Sequence, residues 1–231
     1  MVGIPISLRI KMKNESIMLE LLKEELVKGS RKIFAKKLVQ RGEGNVSIRI
    51  PNTNEFLITP TYNDYANMNK DDVVHMNCEG KKLAGLQEAS SEYRMHIAIY
   101  EARPRVNAII HTHSPYASML AIARQTIPPI IEEMVVWIGG EINCANFGEA
   151  NTEEIGTQAL KAIGNTNATL IANHGVLVCG KKMDNAIKTA ELVEKMAFIY
   201  KGAKDLGEVH TISDTSFKKF RKKFEEYYST L

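Results

Sequence analysis

The sequence predicts a single α/β domain of three layers, α/β/α, with helices on both sides of a mixed, largely antiparallel central sheet. Short apolar runs such as NVSIRI, VNAII and GVLVCG have the length of strands, and they alternate with stretches of helical periodicity. Pro51-Asn52-Thr53-Asn54 stands between NVSIRI and EFLIT as a hairpin turn, which calls for an antiparallel pair. No linker, internal repeat or low-complexity segment divides the 231 residues, a length that fills one good core or two small ones.

Residues 1–16 read as an N-terminal extension, with a short strand expected from Ile4 to Ile10, and 17–231 as the domain. Asn14 is placed to cap a helix from Glu15 to Gln40, whose Ile17, Leu21, Leu22, Leu26 and Ile33 follow helical spacing and which Gly29-Ser30 can divide in two. Arg41-Gly42-Glu43-Gly44 turns the chain into the NVSIRI–EFLIT hairpin, and Val73–Asn77 is a third strand. Ser90 or Ser91 opens a helix that ends near Arg103-Pro104. VNAII is a strand; Ser114-Pro115 is an N-cap followed by proline at the first helical position, which predicts a helix to Arg124. The apolar run after Glu133 reads as a strand. Asn151-Thr152-Glu153-Glu154 opens a helix to about Ile163, ATLIAN and GVLVCG are strands, Lys182–Lys204 is a long helix, and Ser213-Asp214 starts a last one.

Composition narrows the function classes. Apolar residues make up 44% and charged residues 25%, as in ordinary globular chains. A net charge of +3 gives no case for nucleic acid. Lys218, Lys219, Arg221, Lys222 and Lys223 are interleaved with Phe217, Phe220, Phe224 and Tyr228 at helical spacing, so the basic run reads as the solvated face of an amphipathic helix. No membrane segment is expected, since no run of 18 apolar residues occurs. The MVGIPISLRIKMK start lacks the layout of a secretory leader. Cys78, Cys144 and Cys179 are widely spaced with no C-x-x-C pair, which suits a reducing, cytoplasmic setting.

The strongest local signal is AIIHTHSP. Strand side chains alternate faces, so His111 and His113 point the same way, with Cα atoms roughly 6.5–7 Å apart. Two imidazoles at that spacing can converge on one ion, although H-x-H alone reads equally well as two core or surface histidines. His174 shifts the balance: it follows the apolar run TLIAN and precedes Gly175, which permits close backbone approach. Three histidines at strand ends make a zinc site with an open fourth position. His75 and His210 carry no partner pattern, and His96, four residues after Glu92 on one helix face, reads as a packing neighbour. Glu92 reads either as a first-turn acid complementing the helix dipole or as a carboxylate at the metal. Free N–H groups and hydroxyls at Ser90-Ser91 suit a phosphate. Gly44-Asn45-Val46-Ser47 and Thr59-Pro60-Thr61 are further candidates for an anion cradle, and both read equally well as hairpin ends.

GNVS, LITPT, SSE, HTH and NHG occur in that order, at Gly44–Ser47, Leu57–Thr61, Ser90–Glu92, His111–His113 and Asn173–Gly175. In this the chain resembles the class II aldolase/adducin-head superfamily over about residues 17–230, most of all its aldolase branch. The resemblance implies His111, His113 and His174 as ligands of one zinc, or another divalent metal, per subunit, with Glu92 as an acid/base that also ligates it when no substrate is bound. It implies Gly44, Asn45, Thr61, Ser90 and Ser91 around the substrate phosphate, and Tyr227 as a C-terminal tyrosine closing over the site. It further implies a homotetramer with sites between subunits. The chemistry implied is cleavage of a ketose 1-phosphate such as L-fuculose 1-phosphate to dihydroxyacetone phosphate and an aldehyde, by way of a metal-stabilised enediolate.

Two departures from the family pattern stand out. Tyr62 follows LITPT where the family aldolase has glycine, and IPPIIEEMVVWIGGEI holds no tyrosine where that enzyme donates one across the interface. Glu132 or Glu133 is left to take that role, with Glu133 the one to test; it reads as well as a solvated charge. Trp137 reads as core or interface. Sibling chemistries are a pentulose-phosphate 4-epimerase, a dehydratase or a decarboxylase; related epimerases carry aspartate at the Glu92 position. A non-catalytic adducin-type head predicts loss of the zinc ligands, and here all three are present.

Overall fold

The structure, a computed structural model, describes residues 6–229. The hairpin at Pro51–Asn54 joins β1 (Asn45–Arg49) to β2 (Glu55–Ile58). β3 (Val74–Asn77) and the short edge strand β4 (Lys82–Ala84) extend it on one side. On the other, β1 pairs with β5 (Ala108–Thr112), which brings Asn45 opposite His111. After β6 (Cys144–Ala145), β7 (Ala168–Ile171) and β8 (Gly175–Gly180) form a second hairpin, and β8 inserts beside β5. The eight-stranded order is β4-β3-β2-β1-β5-β8-β7-β6, antiparallel throughout except for β6 against β7. The sheet is therefore mixed and largely antiparallel, as predicted.

Helices cover both faces. On one, α1 (Ile6–Ala35), α3 (Pro115–Ile122), α4 (Glu132–Ile138) and α6 (Met183–Leu206) share a core with Val46, Ile48, Ile110 and Val176. On the other, α2 (Tyr93–Ala102) and α5 (Glu153–Ile163) pack on Phe56, Ile58, Ile109 and Leu177. The terminal α7 (Asp214–Ser229) buries Phe220 and Phe224, with Phe224 and Arg221 lying against Gly139 at the end of α4. Lys218, Lys219, Lys222 and Lys223 are thus the outer face of a helix packed on its own chain, while Arg221 turns inward to the Gly139 carbonyl. Among the described residues no helix is long and apolar enough to cross a membrane, and all three cysteines are free.

Several expectations are corrected. Helix α1 starts at Ile6, so the strand expected from Ile4 to Ile10 is not formed; Ile4 and Pro5 lie outside the described residues. It ends at Ala35 rather than Gln40, and it runs unbroken through Gly29-Ser30. A Cβ on Gly29 would lie 2.6 Å from Met183 Cγ, so this glycine admits α6 rather than ending the helix. The EEMVVWI segment is the helix α4, not a strand. Seven residues are too few for periodicity to tell a buried helix from a buried strand. β4 and β6 are three and two residues long and left no readable pattern. Ser114 makes no side-chain cap. Instead the Glu194 carboxylate of α6 accepts the free N–H groups of Tyr116 and Ala117, both at 2.9 Å. Thr152, not Asn151, caps α5 through Glu154 N–H.

Candidate active site

Along β5, Ala108 and Ile110 face the α1–α6 side, while Ile109 and His111 face α2. His113, two residues further, falls on the same side. His174 arrives from the β7–β8 turn, where Asn173 adopts a left-handed backbone (φ 55°) and His174 N–H donates to Ile171 O at 3.0 Å. Asparagine tolerates that conformation better than most residues. Gly175 then runs so close to β5 that a Cβ there would meet Thr112 O at 2.2 Å. Gly44 does the same on the other flank: it is left-handed (φ 62°), and a Cβ would lie 2.4 Å from His111 O. Glycine is required at both positions for the flanking strands to hug the histidine strand.

The three rings meet at centroid distances of 4.8, 4.8 and 5.0 Å. One nitrogen from each lies within 4.8 Å of the others. His111 Nδ1 donates to Val176 O at 2.8 Å, which leaves its Nε2 bare. That nitrogen faces His113 Nε2 at 2.9 Å. Burial lowers the His111 imidazole to about 3 and lowers His113 as well, so both are neutral at pH 7 with lone pairs available. Three imidazoles aimed at one point, one of them fixed by a backbone carbonyl, suit a divalent metal ion.

Glu92 is the N-cap residue of α2, but its side chain makes no cap hydrogen bond. It turns to the histidines: Oε1 lies 2.9 Å from His174 Nε2 and Oε2 lies 3.3 Å from His111 Nε2. Asn45 Nδ2 donates to Oε2 at 2.8 Å. Burial pushes the Glu92 carboxyl up, but the hydrogen bonds to His174 Nε2 and Asn45 Nδ2 outweigh it and hold the group below the usual carboxylate range. The side chain thus faces the histidine cluster rather than the first turn of α2.

The remaining predicted residues divide into two groups. Gly44, Asn45, Ser90 and Thr61 lie around Glu92, since Ser90 N–H bonds to Thr59 O and bridge pairing joins Pro60 to Ala89. Asn45 and Ser90 are buried, Gly44 and Thr61 half-buried, and Ser91 is exposed. Tyr62 takes a left-handed backbone (φ 51°), the conformation glycine would supply, and its ring is 87% exposed, so it does not crowd the cradle. Glu133 and Tyr227 stand elsewhere. Glu132 is exposed, and Glu133 pairs with Lys195 at 3.1 Å. Tyr227 meets Trp137 edge to face at 5.8 Å and donates to Asn185 at 3.2 Å. Lys181, just past β8, donates to the Tyr227 carbonyl. That end of β8 is about 20 Å from His174, at 3.3 Å per residue. His75 pairs with Glu55 at 2.8 Å and His210 is exposed, in line with their bland readings. Sequence reasoning missed the contacts of His96, which is fully buried and bonded to Ser47 and Asn45. Their common spacing on one strand and one helix face was the available signal.

Residues 24–201 match the family model described as class II aldolase and adducin N-terminal domain. The chain belongs to that family. It is 30% identical to a 5-deoxy-D-ribulose 1-phosphate aldolase of Bacillus thuringiensis serovar kurstaki, over 91% of this chain and 99% of that one. It is 31% identical to an L-fuculose phosphate aldolase of Escherichia coli, over 82% of this chain and 87% of the relative. A solved structure of an L-fuculose 1-phosphate aldolase superposes with a TM-score of 0.84 at 32% identity, covering 88% of this chain and 96% of that one. With its histidine cluster intact, this member is an enzyme of the metal-dependent class II aldolase type, a carbon–carbon lyase.

Proposed function

We propose that the enzyme uses zinc to cleave a ketose 1-phosphate into dihydroxyacetone phosphate and an aldehyde. The observation that carries this is the convergence of His111, His113 and His174 beside a half-buried, ionised Glu92. The family members it resembles are named for L-fuculose phosphate and 5-deoxy-D-ribulose 1-phosphate, and these are the first two substrates to try.

His111, His113 and His174 would hold the ion, and Glu92 lies where it can join them. A divalent ion there supplies a Lewis acid for the negative charge that builds on the ketose oxygens as the carbon–carbon bond breaks. Ser90, Ser91, Thr61, Gly44 and Asn45 bind the phosphate and fix the three-carbon end. Asn45 Nδ2 carries two hydrogens, of which Glu92 takes one, so the other is left for a phosphate oxygen. Glu92 moves the proton at the carbon that loses its bond, within a pocket that leaves its side chain 12% exposed. Tyr227 is held at the far end of β8, and Glu133 pairs with Lys195 on helices of the opposite sheet face, so we do not place either at the histidines of its own chain. We assign them to a neighbouring subunit's site in a homotetramer, with Glu133 holding the proton destined for the aldehyde oxygen.

The test is a panel of ketose phosphates with the zinc-loaded enzyme, following dihydroxyacetone phosphate by coupled assay and all products by mass spectrometry. Release that stops with chelator supports the proposal. An isomeric sugar, or loss of water or carbon dioxide, without triose phosphate would move the reaction to a sibling class.

A further inference from the structure

Five polar side chains alternate between α2 and β1. Glu92, His96 and Tyr100 lie four residues apart along one stripe of α2, a spacing of about 6 Å on a helix. Asn45 and Ser47 lie two apart on one face of β1, about 6.7 Å on a strand. The periods match, so the side chains interdigitate. Tyr100 Oη lies 2.7 Å from Ser47 Oγ, Ser47 Oγ 2.6 Å from His96 Nδ1, His96 Nε2 2.5 Å from Asn45 Oδ1, and Asn45 Nδ2 2.8 Å from Glu92 Oε2. Asn45, Ser47, His96 and Tyr100 are each 0–1% exposed.

The ends of this chain fix its direction. Glu92, as a carboxylate, only accepts, so the Asn45 amide must present Nδ2 to it and Oδ1 to His96. His96 must then donate from Nε2 and accept at Nδ1 from the Ser47 hydroxyl, which in turn accepts from Tyr100. In the reverse direction the Tyr100 hydroxyl hydrogen would have no acceptor, since among the described residues Ser47 is its only hydrogen-bond partner. Apolar packing would fill this helix–strand contact without the desolvation that five polar groups impose. What the polar arrangement adds is a fixed donor for Glu92.

We infer that His96 is a positioning residue: from Nε2 it locks the Asn45 amide so that Nδ2 holds the Glu92 carboxylate toward the histidine cluster. The inference rests on the proposed role of Glu92 in ketose-phosphate cleavage. The geometric part stands apart from it.

Two measurements test it. Nitrogen-15 NMR of the histidine rings in the full chain, with and without zinc, reads the tautomer directly; the His96 signals are assigned by their loss in His96→Gln. Protonated Nε2 and bare Nδ1 are expected, and a protonated Nδ1 overturns the inference. In kinetics, His96→Leu should keep its zinc and its KM while kcat falls about 10- to 100-fold, the usual effect of losing an outer-shell partner. His96→Gln, whose amide can still donate to Asn45 Oδ1, should recover most of that loss. A folded His96→Leu enzyme with wild-type kcat overturns the inference. So does a loss that His96→Gln fails to rescue. If His96→Leu does not fold, Ser47→Ala removes the donor to Nδ1 and should lower kcat in the same way; an unchanged kcat there counts against the inference. A wild-type enzyme that releases no triose phosphate from any substrate would remove the functional reading, while the tautomer would still decide the geometry.

Discussion

Gly175→Ala should damage the fold and the metal site together. The added Cβ would stand 2.2 Å from Thr112 O and 2.9 Å from His113 Cδ2. Ordinary contact needs about 3.5 Å, so β5 and β8 must separate by about 1 Å where Thr112 pairs with Val176. The nearest obstacle is backbone, which cannot swing aside. Overpacking of this kind costs about 1–3 kcal/mol. At about 2–4 °C per kcal/mol for a chain of this length, a cost of about 2 kcal/mol lowers Tm by about 4–8 °C. The same shift moves His174 away from His111 and His113, whereas a metal site tolerates only about 0.2 Å. Zinc affinity should therefore fall by about tenfold or more. Thermal melts with and without chelator, together with a competition titration for zinc, measure both effects. Gly202→Ala is the control: it lies within α6 with open space around its Cβ, and alanine should stabilise by up to about 1 kcal/mol without touching zinc. Wild-type Tm and zinc affinity in Gly175→Ala would refute the reasoning.

Three further outcomes are expected. Glu92→Gln should retain zinc while turnover falls about 10²–10⁴-fold, the range for lost acid–base catalysis; unchanged turnover removes Glu92 from the mechanism. His113→Ala should lose bound zinc in elemental analysis, and full occupancy would overturn its assignment as a ligand. Burial lowers His96 to about 4, so the unfolded chain takes up a proton near pH 6.5 that the folded chain refuses until about pH 4. Stability is complete above pH 6.5 and declines between these values, by roughly 3 kcal/mol for this group alone. Tm of His96→Gln should therefore fall less between pH 7.5 and 5 than that of the wild type, and parallel curves would contradict the cause assigned.

The histidine cluster was legible because strand alternation is a local rule: it puts His111 and His113 on one face whatever the rest of the chain does. The place of His174 needed the sheet order, because only the insertion of β8 beside β5 carries the β7–β8 turn to the histidines. Glu92 was ambiguous in sequence, since an acid at a helix start serves the helix dipole as readily as a metal; its orientation comes from Asn45, which is distant in sequence. The zipper through His96 left only its matching spacings as a signal, for the same reason. Its two stripes are each ordinary, and their meaning appears only when β1 packs under α2. EEMVVWI misled because apolar residues on consecutive positions carry no period. The caps at Ser114 and Asn151 failed because Glu194 from α6 and Thr152 competed for the same N–H groups.

The most direct test is dihydroxyacetone phosphate release by the zinc-loaded enzyme from L-fuculose 1-phosphate and 5-deoxy-D-ribulose 1-phosphate. Release from at least one of them, abolished by chelator and restored by zinc, is the predicted result. Turnover that survives complete removal of metal, or ketose 1-phosphates returned uncleaved by enzyme with zinc bound at all three histidines, would contradict it.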